Sequence, residues 1–241
     1  MGLNYIKRLF ENHSVCVVGM KGSGKDLLTG NVIARRKLPY ISNCNYGNDF
    51  YEWNYDHVIP RASFKDIISG RVPRYVFPYE EDTDIYLSDV GVYFPSQYCS
   101  DLNKLYPNFP IFMAISRHFG TKVHVNCQNL NRIWDKIREH SDYYIYCEGV
   151  IKPLVKLGIV VQSVIVYDKY QSCVDRVKPC RVKSRPLASS EANATTDTYL
   201  DNFYNQHGSV RRHILIYINK SKHDTHFFKE FFKNGGFTRE K

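Results

Sequence analysis

The chain has 241 residues, of which 43% are hydrophobic and 15% aromatic, so wholesale disorder is excluded and a sizeable core is expected. The formal net charge of +9 is uneven, because residues 1–150 carry 17 Lys/Arg and 16 Asp/Glu whereas residues 151–241 carry 16 and 8. An anionic partner, most simply nucleic acid, is therefore expected at the C-terminal part.

The sequence shows no sign of secretion or membrane insertion. Its seven cysteines are scattered without a Cys-x-x-Cys pair, which favours reduced thiols in a cytoplasm over a disulfide framework or a zinc site. Charged residues at 7, 8 and 11 interrupt the N-terminus, so no signal peptide is predicted. The longest apolar runs fall short of the ~20 residues that a membrane-spanning helix needs, and no transmembrane segment is predicted.

The stretch from Ser14 to Ala34 has the pattern of a strand, a glycine-rich turn and a helix. The spacing Gly19-x-x-x-x-Gly24-Lys25 is typical of a nucleotide-binding P-loop, whose backbone N–H groups surround a triphosphate while the lysine reaches its outer phosphates. A glycine-rich turn that binds nothing is the alternative. The residues predicted to contact ATP are Gly19, Met20, Lys21, Gly22, Ser23, Gly24, Lys25, Asp26 and Leu27.

One position of this loop departs from the pattern. Asp26 stands where P-loops usually carry the Ser or Thr that binds Mg²⁺. A carboxylate can also ligate Mg²⁺, but it adds a negative charge beside the phosphates. Asp26 is therefore predicted to be a Mg²⁺ ligand, and binding of metal and nucleotide is less favoured with it than with a hydroxyl.

A second informative stretch, Asp84 to Gly91, combines an apolar strand with a terminal acid. P-loop NTPases hold Mg²⁺ through an acid at such a strand end, so Asp89 is predicted as the second metal-binding and catalytic carboxylate. ATPases of the additional-strand type usually place a Glu directly after that acid to polarise the attacking water. Val90 occupies that position here, and no catalytic base is visible there.

The next segments suggest a phosphate sensor and arginine fingers. A strand is predicted at Thr121–Asn126, and Gln128 just beyond it is placed to sense a γ-phosphate; a strand-end amide without that role is equally compatible with the pattern. Arg117 and Arg138 are candidate arginine fingers if subunits form a ring. Single helices are predicted within 98–117 and over 129–140, the latter with Ile133, Trp134 and Ile137 buried.

The remaining elements end in a basic region. Strands are predicted at 40–44, 143–150, 159–167 and 210–218, helices at 63–68 and 223–233, and a flexible linker near 186–198. Five cations and no acid lie within ten residues, and they could form a DNA-facing ribbon or a merely solvated surface. They are Arg176, Lys178, Arg181, Lys183 and Arg185.

Several pieces of the sequence, in order and spacing, resemble the zonula occludens toxin-like assembly ATPases of filamentous phages. They cover roughly residues 14–150. They are the loop at 19–26, the LSDVGVYFPSQ stretch around Asp89, the SRHFG segment at 116–120, the strand ending at Gln128, and the helix with Lys136-Ile137-Arg138.

The resemblance implies an α/β fold: a P-loop NTPase core of the RecA-like, additional-strand HerA/FtsK type at 1–150, with a mainly parallel sheet flanked by helices. A basic C-terminal β/α extension would follow at 151–241. Lys25 would contact the phosphates, Asp26 and Asp89 would lie near Mg²⁺, Gln128 would be the sensor, and Arg117 or Arg138 the finger.

By the same resemblance, the protein would use ATP to drive phage DNA packaging or extrusion, or virion morphogenesis, as a homo-oligomeric ring. It would act in the host cytoplasm at the inner face of the membrane. The membrane anchor of that family has no predicted counterpart here, so a phage or host membrane protein would supply the attachment.

Departures from that family leave two other functions open. Three departures weaken the case for ATP hydrolysis more than the case for ATP binding. They are Asp26, Val90 and the strand ending Asn126-Cys127-Gln128 in place of the usual Thr-Gln. A hydrolysis-deficient, nucleotide-dependent DNA-binding or scaffold protein would fit these changes. A small-molecule P-loop kinase is the other alternative, although no acceptor pocket or lid arginines can be identified from the sequence.

Overall fold

The structure is a computed structural model, and it describes residues 3–47, 50–52, 69, 83–105, 109–178 and 205–221. Its centre is an eight-stranded sheet in the order β3-β2-β4-β5-β1-β6-β7-β8. The strands are β1 (Val15–Val18), β2 (Tyr40–Ser42), β3 (Phe50–Glu52), β4 (Asp84–Leu87), β5 (Val123–Cys127), β6 (Tyr143–Val150), β7 (Ile159–Tyr167) and β8 (Val210–Ile218).

The first six strands of the chain form a parallel sheet with β1 inside it. β1 pairs with β5 on one side and with β6 on the other, and β4 lies between β5 and β2. Parallel strands end at a common edge, so the residues that follow β1, β4 and β5 come together there. This parallel α/β architecture, with the glycine-rich loop directly after a central strand, confirms the predicted P-loop fold class.

Two antiparallel strands extend the sheet beyond residue 150. β7 pairs antiparallel with β6, and β8 pairs antiparallel with β7 along its whole length. Residues up to 218 therefore continue the same sheet as the first 150 residues. The side chains of Val160 and Leu215 are fully buried in the core that also contains β1.

Helices cover both faces of the sheet. They are α1 (Leu3–Asn12), α2 (Lys25–Arg36), α3 (Val90–Tyr93), α4 (Cys99–Leu105), α5 (Phe109–Ile115), α6 (Asp135–Glu139), α7 (Lys152–Lys156) and α8 (Tyr170–Val174). Short 3₁₀ turns lie at 96–98, 116–119 and 130–132. α1 and α2 pack with Val15 and Val17 on one face, whereas α3 to α6 and α8 pack with Cys16 and Val18 on the other. This alternation along β1 is the period-two pattern of a strand covered on both faces.

Two predicted helices are wrong in their extent. The segment from 98 to 117 contains two helices, α4 and α5, and prolines at 107 and 110 oppose one continuous helix there. The segment from 129 to 140 is also divided, since Ile133 forms a bridge with Pro95 and the Trp134 N–H donates to the Phe94 carbonyl. The predicted burial of Ile133, Trp134 and Ile137 is confirmed.

The four strands predicted at 40–44, 143–150, 159–167 and 210–218 are confirmed, the first of them as the shorter β2. The predicted helices at 63–68 and 223–233 and the linker near 186–198 lie outside the described residues.

Candidate functional site

The glycine-rich loop connects β1 to α2 as a tight turn. Gly24 has a φ of 89°, in the left-handed region that favours glycine, and a Cβ there would lie 2.8 Å from Nε2 of Gln162. A Cβ on Gly19 would lie 2.5 Å from the Ser23 hydroxyl and 2.7 Å from the Cys147 carbonyl. Both glycines are therefore required by the close packing of the loop against β6 and β7.

Gln162, on β7, holds this loop from behind. Its side-chain nitrogen donates to the carbonyls of Ser23 at 3.1 Å and Gly24 at 3.0 Å. Its oxygen accepts a hydrogen bond from the Tyr217 hydroxyl of β8. Gln162 is buried, with 1% of its surface exposed, so the two antiparallel strands position the loop through a polar chain that excludes water.

Lys25 opens α2 and folds back over the loop. Its Nζ lies 3.4 Å from the Met20 carbonyl, and only 5% of the residue is exposed. Within the described residues, that contact is its one hydrogen bond, and no acidic side chain pairs with it. A buried ammonium group without a counter-ion is costly, and an anionic ligand would offset that cost.

Asp26 lies at the centre of a hydrogen-bond network. Its Oδ1 accepts hydrogen bonds from the Ser88 hydroxyl at 2.6 Å, the Asn126 amide at 2.9 Å and the Tyr46 hydroxyl at 3.1 Å. Burial and the nearby charge of Asp26 raise the pKa of Tyr46 well above its usual value, so this hydroxyl stays protonated and donates. The carboxylate is thereby fixed at the shared edge of β4, β5 and the loop.

Asn126 links this network to α2. Its side-chain oxygen accepts a hydrogen bond of 3.1 Å from the Thr29 hydroxyl while its nitrogen donates to Asp26. Gln128, predicted as the sensor, is exposed beyond the end of β5 and lines a cavity of about 230 Å³ with Tyr146 and Arg176. The structure therefore brings Asn126, rather than Gln128, into contact with the loop helix.

Asp89 lies next to the network without joining it. It follows Ser88, has a φ of 47° and is half-buried at the start of α3. Within the described part of the chain, its carboxylate forms no hydrogen bond or ion pair. Ser88, one residue earlier, donates to Asp26, whereas Asp89 is the residue that the sequence predicts as the second metal-binding carboxylate.

Of the two candidate arginine fingers, the structure describes the side chain of Arg138 but not that of Arg117. Arg138 stacks on the Tyr170 ring at 5.1 Å and its Nη1 lies 3.5 Å from the Leu130 carbonyl, so its guanidinium is engaged within its own chain. Arg117 lies in the 3₁₀ turn at 116–119, and its side chain is outside the described part.

Two of the five basic residues are described. Arg176 stacks on the Tyr146 ring at 5.1 Å, and Lys178 is exposed. Residues 181, 183 and 185 lie outside the described part.

Sequence reasoning missed four side chains that shape the site. Ser88, Asn126, Tyr46 and Gln162 come from four separate segments, and each contacts the loop or Asp26. Ser88 and Asn126 had a usable signal, because each is a polar residue at the end of an apolar strand. Nothing local marks Tyr46 or Gln162, since their roles depend on which strands neighbour β1.

No family model matches the sequence, and no curated protein matches it either. Among solved structures, the N-terminal domain of zonular occludens toxin from Neisseria meningitidis matches with 12% identity and a TM-score of 0.45, over 86% of this chain and 95% of that one. The genome packaging NTPase B204 from Sulfolobus turreted icosahedral virus 2, in complex with AMP, matches with 15% identity and a TM-score of 0.40, over 66% and 93%.

A third solved structure, EssC (ATPases 2 and 3) from Geobacillus thermodenitrificans, matches with 9% identity and a TM-score of 0.43, over 92% of this chain and 43% of that one. The resemblance to zonula occludens toxin-like proteins, stated above from sequence pieces, thus recurs among the structural matches. Within the described residues, the helices are all too short or too polar to traverse a bilayer.

Proposed function

We propose that this chain is a P-loop ATPase that binds ATP at the loop of residues 19–27. The observation that carries the proposal is the buried Lys25 ammonium, which lies over the loop without an acidic partner among the described residues. An ATP polyphosphate supplies the missing negative charge. The loop N–H groups at the start of α2 add the favourable end of the helix dipole.

The donor set near the loop also suits Mg²⁺, which prefers oxygen ligands. The carboxylate of Asp26 and the hydroxyl of Ser88 lie side by side at the end of β4. A bound Mg²⁺ would neutralise part of the negative charge of the phosphates and so reduce their repulsion by the Asp26 carboxylate. Lys25 would orient the outer phosphates, and the Gln162 contacts would keep the loop in its binding shape.

We further propose that the ATPase moves DNA during phage packaging, extrusion or virion morphogenesis in the host cytoplasm, as a homo-oligomeric ring attached to the membrane through a partner. The net charge of the C-terminal part supports a DNA partner, and the cluster from 176 to 185 is the proposed contact region. Arg117 or Arg138 is the proposed finger, and the guanidinium of Arg138 stacks on Tyr170 within its own chain.

The test is an ATP-binding and turnover assay with Mg²⁺ on the full chain, with and without single- and double-stranded DNA. Lys25→Ala should abolish both binding and turnover, whereas Lys7→Ala should leave them unchanged, because among the described residues Lys7 forms only a surface pair with Glu11 on α1. Wild-type turnover in Lys25→Ala would overturn the proposal.

The same assay separates the alternative functions. Binding of ATP without turnover, together with salt-dependent DNA binding, would favour the hydrolysis-deficient scaffold. Phosphate transfer to a nucleoside would favour the kinase.

A further inference from the structure

A hydroxyl and a carboxylate meet between α2 and the end of β4, but each stands on the element where the P-loop pattern places the other. In that pattern the hydroxyl follows the loop lysine and the carboxylate ends the strand. Here Asp26 follows Lys25, Ser88 follows β4, and the Ser88 hydroxyl donates to Asp26 Oδ1 over 2.6 Å. The pair therefore contains the same two chemical groups as the P-loop pattern, but the helix supplies the carboxylate and the strand end supplies the hydroxyl.

The exchanged pair is held in place by its surroundings. The Ser88 N–H donates to the Asn43 side-chain oxygen at 2.7 Å, and the Asn43 amide donates back to the Ser88 carbonyl at 2.9 Å. Ser88 is 4% exposed. On the other side, Asn126 and Tyr46 donate to the same oxygen of Asp26. Both groups are therefore preorganised, as a metal site requires.

We infer that Asp26 and Ser88 form an exchanged Mg²⁺-binding pair, with the carboxylate supplied by the loop helix and the hydroxyl by the strand end. The inference rests on the proposed nucleotide binding. It also explains how an acid is accommodated in this loop, since Ser88 rather than an acid occupies the matching position at the strand end and the pair still contains one carboxylate.

The exchange also gives Asp89 a different role. Because Ser88 takes the first position after β4, Asp89 takes the second, where additional-strand ATPases carry the Glu that polarises water. The Asp89 carboxylate has no partner within the described residues and is half-buried beside the pair. Asp89 therefore accepts a hydrogen bond from the attacking water. In this alignment of positions Asp89, rather than Val90, corresponds to the Glu of the additional-strand ATPases.

The pair is tested by the Mn²⁺ affinity of the full chain in complex with a non-hydrolysable ATP analogue, measured by electron paramagnetic resonance. Ser88→Ala and Asp26→Ser should each weaken Mn²⁺ binding by about 10- to 100-fold. The double variant Asp26→Ser/Ser88→Asp should bind Mn²⁺ more tightly than either single variant, because residues in direct contact couple and each group then returns to the other's position. Ser96→Ala, a serine in the 3₁₀ turn at 96–98, is the control.

Two results would overturn the pair. One is a folded Ser88→Ala, verified by its melting curve, with wild-type Mn²⁺ affinity; the other is a folded double variant no better than Asp26→Ser. If Asp26→Ser does not fold, Ser88→Ala alone decides. Lys25→Ala distinguishes a failure of the exchanged pair from a failure of the proposed function. If Lys25→Ala and the wild type bind the ATP analogue equally well, the proposed nucleotide site itself is refuted.

Asp89→Asn tests the role of the second carboxylate. Turnover should fall by about 10²- to 10⁴-fold, the usual effect of losing a positioned base, while Mn²⁺ affinity stays at the wild-type value. A tenfold or larger loss of Mn²⁺ affinity, or unchanged turnover, would overturn the water-positioning role; the first result would instead make Asp89 the metal ligand that the sequence predicts.

Discussion

The Tyr217 hydroxyl donates a hydrogen bond of 3.0 Å to the side-chain oxygen of Gln162, so the last described strand supports the side chain that holds the phosphate loop. Burial raises the pKa of Tyr217, which keeps this donor protonated. The geometry of the loop thus depends on β7 and β8 as well as on its own glycines.

Replacing Gln162 by leucine should disturb the loop more than the core. The carbonyls of Ser23 and Gly24 would lose a buried donor, which costs about 1–3 kcal/mol of the free energy of unfolding. If the binding free energy falls by a comparable amount of about 1.4 kcal/mol, nucleotide affinity measured by calorimetry should fall about tenfold. Tyr217→Phe should show a smaller loss of both, and Gln171→Leu, at an exposed position of α8, should show neither. Wild-type affinity in Gln162→Leu would contradict the supporting role.

Alanine at Gly24 should be far less tolerated than alanine at Gly158 or Gly149. The Gly24 backbone has a φ of 89°, and a Cβ would meet Gln162 at 2.8 Å. Gly158 has a similar φ of 79° but open space, so Gly158→Ala isolates the backbone cost of about 1 kcal/mol. Gly149→Ala, with open space and no positive φ, should be nearly neutral. Chemical denaturation should rank these variants in that order, and equal costs at 24 and 158 would show that packing against Gln162 is unimportant.

Asn126 and Gln128 should separate support of the site from phosphate sensing. Asn126→Ala removes the acceptor of the buried Thr29 hydroxyl and one of the donors to Asp26, and should cost about 1–3 kcal/mol in the free energy of unfolding. Gln128 is exposed, so Gln128→Ala should change stability by no more than about 0.5 kcal/mol. Turnover of ATP by Gln128→Ala should still fall about tenfold or more if Gln128 is the predicted sensor. Unchanged turnover would remove Gln128 from the site.

A buried ion pair at the other end of β4 should be structural. Arg36, on α2, pairs with Asp84, whose carboxylate is 2% exposed and also accepts the Lys122 N–H at 2.9 Å. Arg36→Met would leave that carboxylate buried without its cation, at a cost of about 3–5 kcal/mol by thermal or chemical unfolding. Arg8→Met, at an exposed position of α1, is the control. A cost below that of the control would show that the pair is unimportant for stability.

Acid should destabilise the protein through Asp84 and His124. Burial opposes ionisation of Asp84, but the His124 ring, 3.5 Å away, and the charge of Arg36 outweigh it and lower the pKa of Asp84. Burial lowers the pKa of His124, and Asp84 only partly opposes that shift. The unfolded chain therefore takes up protons first as the pH falls. Stability should be full above about pH 6.5, decline below it as His124 protonates in the unfolded chain, and decline further near pH 4 as Asp84 does.

Denaturant midpoints measured from pH 8 to 4 check this dependence. His124→Gln should flatten the decline between about pH 6.5 and 5, whereas His118→Gln, at an exposed position, should not. The prediction fails if the denaturant midpoint of His124→Gln falls with pH, between about pH 6.5 and 5, as steeply as that of the wild type.

The parts of the fold that could be predicted are those governed by nearby residues. The strand, loop and helix from Val15 to Arg36 follow from apolar spacing and glycine placement within a short stretch. The helix predicted at 129–140 was wrong because its backbone at 133 and 134 pairs with residues 94 and 95, which no local pattern reveals. The place of Ser88 at a strand end was a usable signal, but its contact with Asp26 depends on β4 ending opposite α2, which a local pattern does not reveal.

The place of β1 between β5 and β6 has a consequence for synthesis on the ribosome. Val15–Val18 is translated early, but both neighbouring strands emerge more than a hundred residues later, and Gln162 and Tyr217 later still. Such long-range pairing makes folding slow and late. The proposed nucleotide site is therefore incomplete in a nascent chain that already contains every glycine of the loop, and it forms only after β8 has left the exit tunnel.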